Sequence, residues 1–299
     1  MSIKKYIPSL RLRTLPLSVS GIILGSGLAW QSDFQPLPEE MRVWVFALAI
    51  LTTLSLQILS NLCNELGDAQ KGTDTAQQSR DAYGLQAGTV TIGEMKGLIG
   101  IFIGLCIVFG TALVCTAFWT EISQAPFSFH FSPFIFLALG LLAIIGAITY
   151  TLGSHSYGYI GLGDLGVFVF FGLLSTMGAY YLQTQTLGVE VTLAAVAIGL
   201  PCVGVLNLNN VRDMPNDLLH GKRTFASLLG PTGARIYHAF LLSLSLSIFT
   251  FLGFYWTLCV LPIWMWHILY IFRHKGHELD RQMPVLMFTT LIVAVLAIL

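Results

Sequence analysis

The chain has 299 residues, of which 55% are hydrophobic and only 10% are charged, and its mean hydropathy is +0.75. These values exclude a globular protein that folds in water. The formal net charge is zero and no loop carries a run of basic residues, so nucleic acid is not expected as a partner. The composition predicts a polytopic protein whose solvent is the lipid bilayer.

Nine apolar segments are candidates for spanning helices, each of which needs about 20 mainly apolar residues. In chain order they are Leu15–Trp30, Val43–Asn64, Leu98–Trp119, Phe131–Thr151, Leu165–Leu182, Val191–Leu208, Ile236–Phe254, Trp256–Ile271 and Pro284–Leu299. No low-complexity linker separates them. The sequence therefore predicts an all-α protein with a single transmembrane domain over residues 1–299.

The positions of lysine and arginine predict the orientation, because cytoplasmic loops retain these residues. If the N-terminus is cytoplasmic, the nine spans place every Lys and Arg except Arg42 on the cytoplasmic side. Proline and glycine within the spans are interpreted as structural, because small residues let helices approach closely. These residues are Pro16, Gly21, Gly25, Gly104, Gly110, Gly140 and Gly146.

Two acidic segments rich in asparagine, each at the end of an apolar run, are the best indications of function. The first is NLCNELGDAQKGTD, from Asn61 to Asp74. Asn64 and Asp68 are spaced i, i+4 and share a face if the helix continues to Asp68. Asp74 follows a glycine at which the loop can fold back toward them. Ionisable groups in a membrane protein are costly, so such clusters usually have a task.

The second segment is NLNNVRDMPND, from Asn207 to Asp217, in which Asn210, Asp213 and Asp217 share one helix face. Together the segments supply hard oxygen ligands of the kind that Mg²⁺ prefers, usually alongside substrate phosphates; Mn²⁺ is an alternative. The predicted metal ligands are Asn64, Asp68, Asp74, Asn210, Asp213 and Asp217. The predicted phosphate contacts are Lys71, Arg212, Lys222 and Arg223. The alternative interpretation is a pair of solvated turns.

Four segments resemble, in the same order, those of the UbiA-type membrane prenyltransferases, and within that family the branch that acts on 1,4-dihydroxy-2-naphthoate. They are RTLPLSVSGIILGSGLAW (Arg13 to Trp30), LQILSNLCNELGDAQKGTD (Leu56 to Asp74), ITYTLGSHSYGYIGLGDLGVFVFFG (Ile148 to Gly172) and LNLNNVRDMPNDLLHGKRT (Leu206 to Thr224). The string YGYIGLGD in particular favours the naphthoate branch. The resemblance covers most of the chain.

The resemblance implies nine helices around a central cavity that opens laterally to lipid, with Mg²⁺ bridging both Asp motifs and the diphosphate of a polyprenyl donor. Lys222 matches the basic position after the second motif. Tyr83 and Ala87 stand where the family has basic residues, which shifts the expected diphosphate contacts to Lys71 or Arg80. Arg13 and the loop from Tyr150 to Asp164 are the candidates for the acceptor site; as an alternative, the tyrosines of this loop are interfacial aromatics.

The implied activity is transfer of a polyprenyl chain to 1,4-dihydroxy-2-naphthoate with loss of CO₂ and diphosphate, which gives demethylmenaquinol for menaquinone synthesis. The expected location is the bacterial cytoplasmic (inner) membrane, with the active site facing the cytoplasm. Two alternatives stay open. One is a prenyltransferase with another acceptor, such as 4-hydroxybenzoate or a haem precursor. The other is a secondary transporter for an anionic metabolite, which the position of the acidic groups at one membrane face disfavours.

Overall fold

The structure is a computed structural model that describes residues 3–72, 83–119, 131–154 and 156–299. Asp74 and Arg80, two of the predicted site residues, lie outside these ranges. Within them, nine helical segments are long and apolar enough to cross a bilayer, which confirms the predicted number of spans. The protein is a multi-pass membrane protein of the all-α class.

The nine helices are numbered in chain order. They are α1 (Leu15–Gln31), α2 (Glu39–Lys71), α3 (Ile92–Ala117), α4 (Phe131–Thr149), α5 (Gly163–Thr184), α6 (Val189–Leu219), α7 (Phe225–Phe251), α8 (Leu261–Arg273) and α9 (Gln282–Leu296). A short helix, Ile7–Leu10, precedes α1. Helix α5 contains a π-helical stretch, Phe168–Leu174.

Helices α2 and α6 extend beyond the apolar runs that predicted them. Helix α2 continues through the first acidic segment to Lys71 and ends at Gly72, whose φ of +68° gives a left-handed cap. Helix α6 continues through the second acidic segment to Leu219. Both helices thus continue into the polar segments. The i, i+4 spacing of Asn64 and Asp68 and the i, i+3, i+7 spacing of Asn210, Asp213 and Asp217 therefore lie on helices, as predicted.

The bundle is dense on one side and loose on the other. The most deeply buried span is α6, which packs against α1, α5, α7 and α9. Large apolar side chains that are fully buried there include Leu24, Ile198, Leu208, Leu242, Trp264 and Leu286. In contrast, α4 packs against α2 and α3 and makes much less contact with α5. The space that this leaves lies beside a cavity described below.

Several glycines mark close helix contacts, as predicted, but two do not. A Cβ on Gly25 of α1 would overlap the backbone of Thr176 in α5, and one on Gly146 of α4 would lie 2.8 Å from the nearest atom. Gly104 and Gly140 have no atom within 4 Å of an added Cβ, so the packing interpretation is wrong for them. Gly104 faces outward from α3, whereas Gly140 borders the cavity.

Alternation of helix direction brings the functional segments to one end of the bundle. Helices α2, α4 and α6 end there, and α5 and α7 begin there. Among the described residues, α2 and α6 make almost no direct contact; α1 packs against both. The two acidic helix ends are instead connected by the loop between α4 and α5, which pairs with the α6–α7 loop through a bridge between Ile160 and Arg223.

Candidate functional site

A cavity of about 550 Å³ lies among α1 to α6 and α9, within the usual size range of small-molecule sites. Its polar end is lined by Arg11, Gln57, Asn61, Asn64, Asn209 and Tyr150, and the rest of its wall is mainly apolar. One chamber therefore joins a polar end, beside the acidic helix ends, to a long apolar region. Such a shape suits a substrate with a polar head and a hydrocarbon chain.

Arg11 is the cation that reaches into this cavity. Its Nη1 donates a 2.8 Å hydrogen bond to Oδ1 of Asn64, and its guanidinium lies 4.1 Å from the centre of the Tyr83 ring. Nε and Nη2 of Arg11 are buried and have no hydrogen-bond partner among the described residues. Its backbone is left-handed, with φ of 48°, which is uncommon for a residue with a side chain. Unsatisfied donors on a buried guanidinium indicate a site for an anion.

The first acidic segment is held by the loop between α4 and α5. Asn64 Nδ2 donates to Thr151 Oγ1 at 3.0 Å. Lys71 Nζ donates to the Thr151 carbonyl oxygen at 2.8 Å and also to the Ser156 hydroxyl. The loop between α4 and α5 therefore holds the side chains of Asn64 and Lys71 in place at this helix end.

Tyr159 connects the two acidic helix ends. Its hydroxyl donates a 2.8 Å hydrogen bond to Oδ1 of Asp68. Its ring lies 3.7 Å from Lys71 Nζ and 5.6 Å from Lys222 Nζ, both measured to the ring centroid. The backbone carbonyl of Tyr159 accepts a 3.0 Å hydrogen bond from the Arg223 amide. One side chain thus touches a carboxylate from the first segment and lysines from both.

Arg212 lies in the second acidic segment and binds several polar side chains. Its Nε and Nη2 bind the two carboxylate oxygens of Asp213 at 2.7 and 2.5 Å. Its Nη1 binds Asp280, in the turn before α9, at 2.5 Å, and Nη2 also reaches Asn209 Oδ1 at 2.6 Å. Arg212 is 8% exposed, so the guanidinium at the centre of this ionic cluster is buried, whereas Asp280 at its edge is partly exposed. The negative charge of Asp213 is therefore paired with the positive charge of Arg212 in this structure.

Asp217 has the environment of a cation ligand. It is 3% exposed, Oδ1 forms a 3.2 Å ion pair with Lys222, and Oδ2 has no hydrogen-bond partner within the described ranges. Asp68 and Asp213 are both close enough for their charges to interact with that of Asp217. A buried carboxylate oxygen without a partner, facing other carboxylates, fits a divalent cation held by oxygen ligands.

Three predicted residues occupy other places than expected. Asn210 is buried but does not line the cavity, whereas its neighbour Asn209 does. The side chain of Arg13 is exposed and outside the cavity wall. Arg223 is exposed, and its backbone pairs with the loop between α4 and α5. Within the described ranges, no three His, Cys, Asp or Glu side chains form a cluster that could hold a metal ion by themselves.

Tyr150 and Asp164, predicted to frame an acceptor, lie near each other at the polar end. Tyr150 lines the cavity, and its ring packs edge to face on Tyr157 at 5.2 Å. Burial raises the pKa of the Tyr150 hydroxyl well above its ordinary value, and nearby acidic groups, including Asp164, raise it further. Asp164 is buried, the hydroxyl of Tyr237 is close enough to interact with it, and its Oδ2 has no hydrogen-bond partner in the part of the chain that the structure describes. At neutral pH Tyr150 is therefore a hydrogen-bond donor.

The sequence interpretation missed Arg11, Tyr159 and Asp280. Arg11 precedes the first apolar run and was interpreted only as an orientation signal, whereas Arg13 was chosen as the candidate for the acceptor. Tyr159 was interpreted with the other tyrosines of its loop as interfacial. Asp280 is far from both acidic segments in the sequence, so no spacing could connect it to Arg212. Two unsatisfied nitrogens on Arg11 and the contacts of the other two become visible only in three dimensions.

The fold and the site define a polytopic membrane protein with two acidic helix ends beside the polar end of a cavity whose remaining wall is mainly apolar. Residues 18–292 match the model of the UbiA prenyltransferase family. The chain belongs to that family.

Similar proteins have names that specify a substrate. The chain is 46% identical to a 1,4-dihydroxy-2-naphthoate octaprenyltransferase of Escherichia coli (strain K12), over 81% of this chain and 73% of that protein. It is 39% identical to the protein of the same name from Haemophilus influenzae, over 81% and 75% of the two chains. Both relatives are bacterial.

Solved structures show the same fold. A UbiA homologue from Archaeoglobus fulgidus superposes with a TM-score of 0.67 at 15% identity, covering 98% of this chain and 96% of that one. A structure described as that homologue bound to GPP and Mg²⁺ has a TM-score of 0.62 at 15% identity, covering 98% and 99% of the chains. At this identity the likeness establishes the architecture.

Proposed function

We propose that this chain transfers a polyprenyl group from an allylic polyprenyl diphosphate to 1,4-dihydroxy-2-naphthoate, releasing diphosphate and CO₂ and giving demethylmenaquinol. One observation carries the proposal. Asn64 belongs to the first acidic helix end, lines the cavity and accepts a hydrogen bond from Arg11. Asn64, which would lie beside the donor's diphosphate, is thus hydrogen-bonded to Arg11, which would hold an anionic acceptor. The names of the bacterial relatives support the choice of acceptor.

The donor's diphosphate binds at the mouth of the cavity, between the two acidic helix ends. Lys71 and Lys222 both lie near the Tyr159 ring, with Nζ 3.7 and 5.6 Å from its centroid, and supply positive charge there. Arg223 and Arg80 are further candidates for the outer phosphate. Lysine suits this role as a compact point charge that can follow a departing group. The apolar region of the cavity takes the first isoprene units.

The residues present fit Mg²⁺, or Mn²⁺ in its place. Asp68, Asp217 and Asn64 would hold it, and Asp74 and Asn210 are further candidates from the same segments. Asp213 would bind it in competition with Arg212, which contacts both of its oxygens. When bound, a divalent ion neutralises the charge that develops on leaving diphosphate oxygens. Since ions of this kind usually retain water and use substrate phosphates as ligands, one or two protein carboxylates are sufficient.

Arg11 binds the carboxylate of the naphthoate. Its Nε and Nη2 have no other partner, and together they present the forked geometry that matches a carboxylate. Tyr150 donates a hydrogen bond to a ring hydroxyl, since its raised pKa keeps it protonated. Asp164 orients this end of the loop through Tyr237. The aromatic ring then lies between Arg11 and the apolar wall that receives the allylic carbon.

The reaction breaks the allylic C–O bond, and the diphosphate leaves with the electron pair. The ring carbon that bears the carboxylate attacks the allylic cation and forms the new C–C bond. The carboxylate then leaves as CO₂, and the electrons of its C–C bond restore the aromatic ring. The apolar wall excludes water that would otherwise capture the cation. No oxidant is needed, and both hydroxyl groups remain on the product.

The acidic helix ends face the cytoplasm in this proposal. Lys4, Lys5, Arg11 and Arg13 precede α1, and Lys71, Lys222 and Arg223 follow α2 and α6 at the same end of the bundle. Retention of Lys and Arg on the cytoplasmic side gives this orientation. The bacterial relatives support a place in the cytoplasmic (inner) membrane.

The test is a product analysis by mass. Purified protein is incubated with Mg²⁺, a polyprenyl diphosphate and either 1,4-dihydroxy-2-naphthoate or 4-hydroxybenzoate. We expect a product from the naphthoate whose mass shows a gained prenyl group and a lost CO₂. A product only from 4-hydroxybenzoate, with its carboxylate retained, would overturn the acceptor assignment. No prenylated product from any acceptor would overturn the proposed activity itself.

A further inference from the structure

A row of polar side chains on α2 lines the central cavity. Gln57, Asn61 and Asn64 are spaced i, i+4 and i+7, so they lie on one face of the helix. Gln57 is two turns, about 10 Å along the helix axis, from Asn64, in the direction away from the acidic end. Most of the cavity wall is apolar. Gln57 is therefore a polar group on the side of the polar end that faces the apolar region.

The amide of Gln57 has a bonded end and an unsatisfied end. Its Nε2 donates to Asn61 Oδ1 at 3.0 Å and to Thr14 Oγ1 at 3.2 Å. Its Oε1 is buried and has no hydrogen-bond donor among the residues that the structure describes. A buried amide oxygen without a partner is costly, so such an atom needs an explanation. A ligand that brings a donor to this oxygen provides one.

The neighbouring hydrogen bonds determine which atom of the Gln57 amide is left over. Asn61 Nδ2 donates to the Leu10 carbonyl oxygen at 3.0 Å, so Asn61 turns its own oxygen toward Gln57. Thr14 Oγ1 donates to the Arg11 carbonyl oxygen at 2.9 Å, so it can only accept from Gln57. A flipped Gln57 amide would place its oxygen against both of these acceptors. The unsatisfied atom is therefore the oxygen.

The cavity thus offers both donors and an acceptor to a single ligand. Arg11 presents two nitrogens, and Gln57 presents an oxygen, that have no partner within the described ranges. Both residues line the same cavity. A ligand that satisfies both carries an anionic group and, apart from it, a hydroxyl whose proton is free to be donated.

The two hydroxyl groups of 1,4-dihydroxy-2-naphthoate differ in this respect. The 1-hydroxyl is next to the carboxylate and donates its proton to that carboxylate within the molecule. The 4-hydroxyl is separated from the carboxylate by C3, so its proton remains free for a protein acceptor. The 4-hydroxyl is therefore the group that a buried amide oxygen can recognise.

We infer that Gln57 Oε1 accepts a hydrogen bond from the 4-hydroxyl of the acceptor and selects a 1,4-dihydroxynaphthoate over a 1-hydroxynaphthoate. This inference rests on the proposed function. With the carboxylate at Arg11, the ring extends toward the apolar region, which is the direction from Asn64 to Gln57 along α2. A ligand without the 4-hydroxyl leaves the buried oxygen unpaired, and sites of this kind discriminate strongly against such analogues.

Two acceptors compared in three proteins test this role. The second acceptor is 1-hydroxy-2-naphthoate, which keeps the carboxylate and the hydroxyl beside it and lacks only the 4-hydroxyl. Gln57→Leu removes the acceptor oxygen at similar side-chain volume. Gln183→Leu is the matched control, because Gln183 is a buried glutamine outside the cavity wall, hydrogen-bonded to Trp30 and Ala179. For each protein, kcat/KM is measured anaerobically with both acceptors and one polyprenyl diphosphate.

We expect wild type and Gln183→Leu to prefer the dihydroxy acceptor, and Gln57→Leu to lower the ratio of the two kcat/KM values by about tenfold or more. The intrinsic reactivity of each acceptor cancels when this ratio is compared between proteins. A general loss of cavity shape lowers both values together, so an unchanged ratio in Gln57→Leu would overturn the inference. If 1-hydroxy-2-naphthoate gives no measurable product, its inhibition constant relative to KM for the dihydroxy acceptor is compared instead, with the same two outcomes.

Failure of the proposed function gives a different result, because the wild type then forms no prenylated naphthoate at all. The two naphthoates can still be compared by how much each raises the melting temperature. Greater stabilisation by the dihydroxy compound in wild type and Gln183→Leu, but not in Gln57→Leu, supports recognition of the 4-hydroxyl. The same difference in all three proteins contradicts it. Equal stabilisation of the wild type by both compounds also contradicts it, and that result needs no variant to fold.

Discussion

The hydroxyl of Tyr159 donates a 2.8 Å hydrogen bond to Oδ1 of Asp68, although the two residues lie on different elements and are far apart in the sequence. Helices α2 and α6 scarcely touch each other in the described part of the chain, so this bond and the lysine contacts of the same ring join their acidic ends. The α4–α5 loop therefore contacts the acidic helix ends, where we propose that the diphosphate binds, as well as carrying Tyr150, which we propose for the acceptor.

Tyr159→Phe keeps the aromatic ring near both lysines and removes the bond to Asp68. A hydrogen bond to a charged group is worth about 1.5 to 3 kcal/mol, so we expect kcat/KM for the donor to fall about 10- to 100-fold. Tyr270→Phe is the control, since its hydroxyl donates to a backbone carbonyl, that of Glu278, so its removal breaks no bond to a carboxylate. Equal activity of Tyr159→Phe and wild type would show that this bond has no part in donor binding.

Asp68→Ala and Asp213→Ala should each abolish most prenyl transfer while the protein stays folded. Each removes a carboxylate at a helix end and not an apolar side chain of the core, and we expect a fall in kcat of about 100- to 1,000-fold.

Activity of the wild type should disappear with excess chelator and return with Mg²⁺ or Mn²⁺. Full turnover in the presence of chelator would exclude a metal ion from the mechanism.

Asp280→Asn should raise the Mg²⁺ concentration needed for half-maximal activity. Asp280 shares Arg212 with Asp213, and without its charge Arg212 is left to hold Asp213 more firmly against a competing cation. Since Asp280 is partly exposed, we expect a two- to fivefold increase, that is about 0.5 to 1 kcal/mol. His277→Ala removes the other contact of Asp280 and is the control. A lower Mg²⁺ requirement in Asp280→Asn would contradict the competition.

Arg11→Ala should raise KM for 1,4-dihydroxy-2-naphthoate about 10- to 100-fold, because a charged hydrogen bond to the acceptor's carboxylate is lost. Binding of the polyprenyl diphosphate should change little. Arg13→Ala is the matched control, since Arg13 is a neighbouring arginine outside the cavity wall.

A competitive inhibitor without the carboxylate, 1,4-naphthalenediol, separates this role from a general loss of shape. Its inhibition constant should be the same in Arg11→Ala and wild type. A parallel loss of naphthoate and naphthalenediol binding would mean that Arg11 maintains the cavity and does not recognise the carboxylate.

Much of the fold followed from local sequence patterns. Apolar segments of bilayer length predicted nine helices because every backbone polar group in lipid must be hydrogen-bonded within its own segment. The spacings of Asn64 and Asp68, and of Asp213 and Asp217, predicted shared helix faces because the period of an α-helix is local. The family resemblance also depended on contiguous strings of residues, which folding does not alter.

Only the tertiary structure decided which of these polar groups meet and where the cavity extends. Asp280 reaches Arg212, Tyr159 reaches Asp68, and Arg11 in place of Arg13 enters the cavity, all through contacts between elements distant in the chain. Gly140 and Gly104 both stand within apolar segments, so the sequence does not distinguish their surroundings. In the structure Gly140 borders the cavity, whereas Gly104 faces outward. Helix periodicity determines which residues share a face, but the packing of the other helices determines what that face meets.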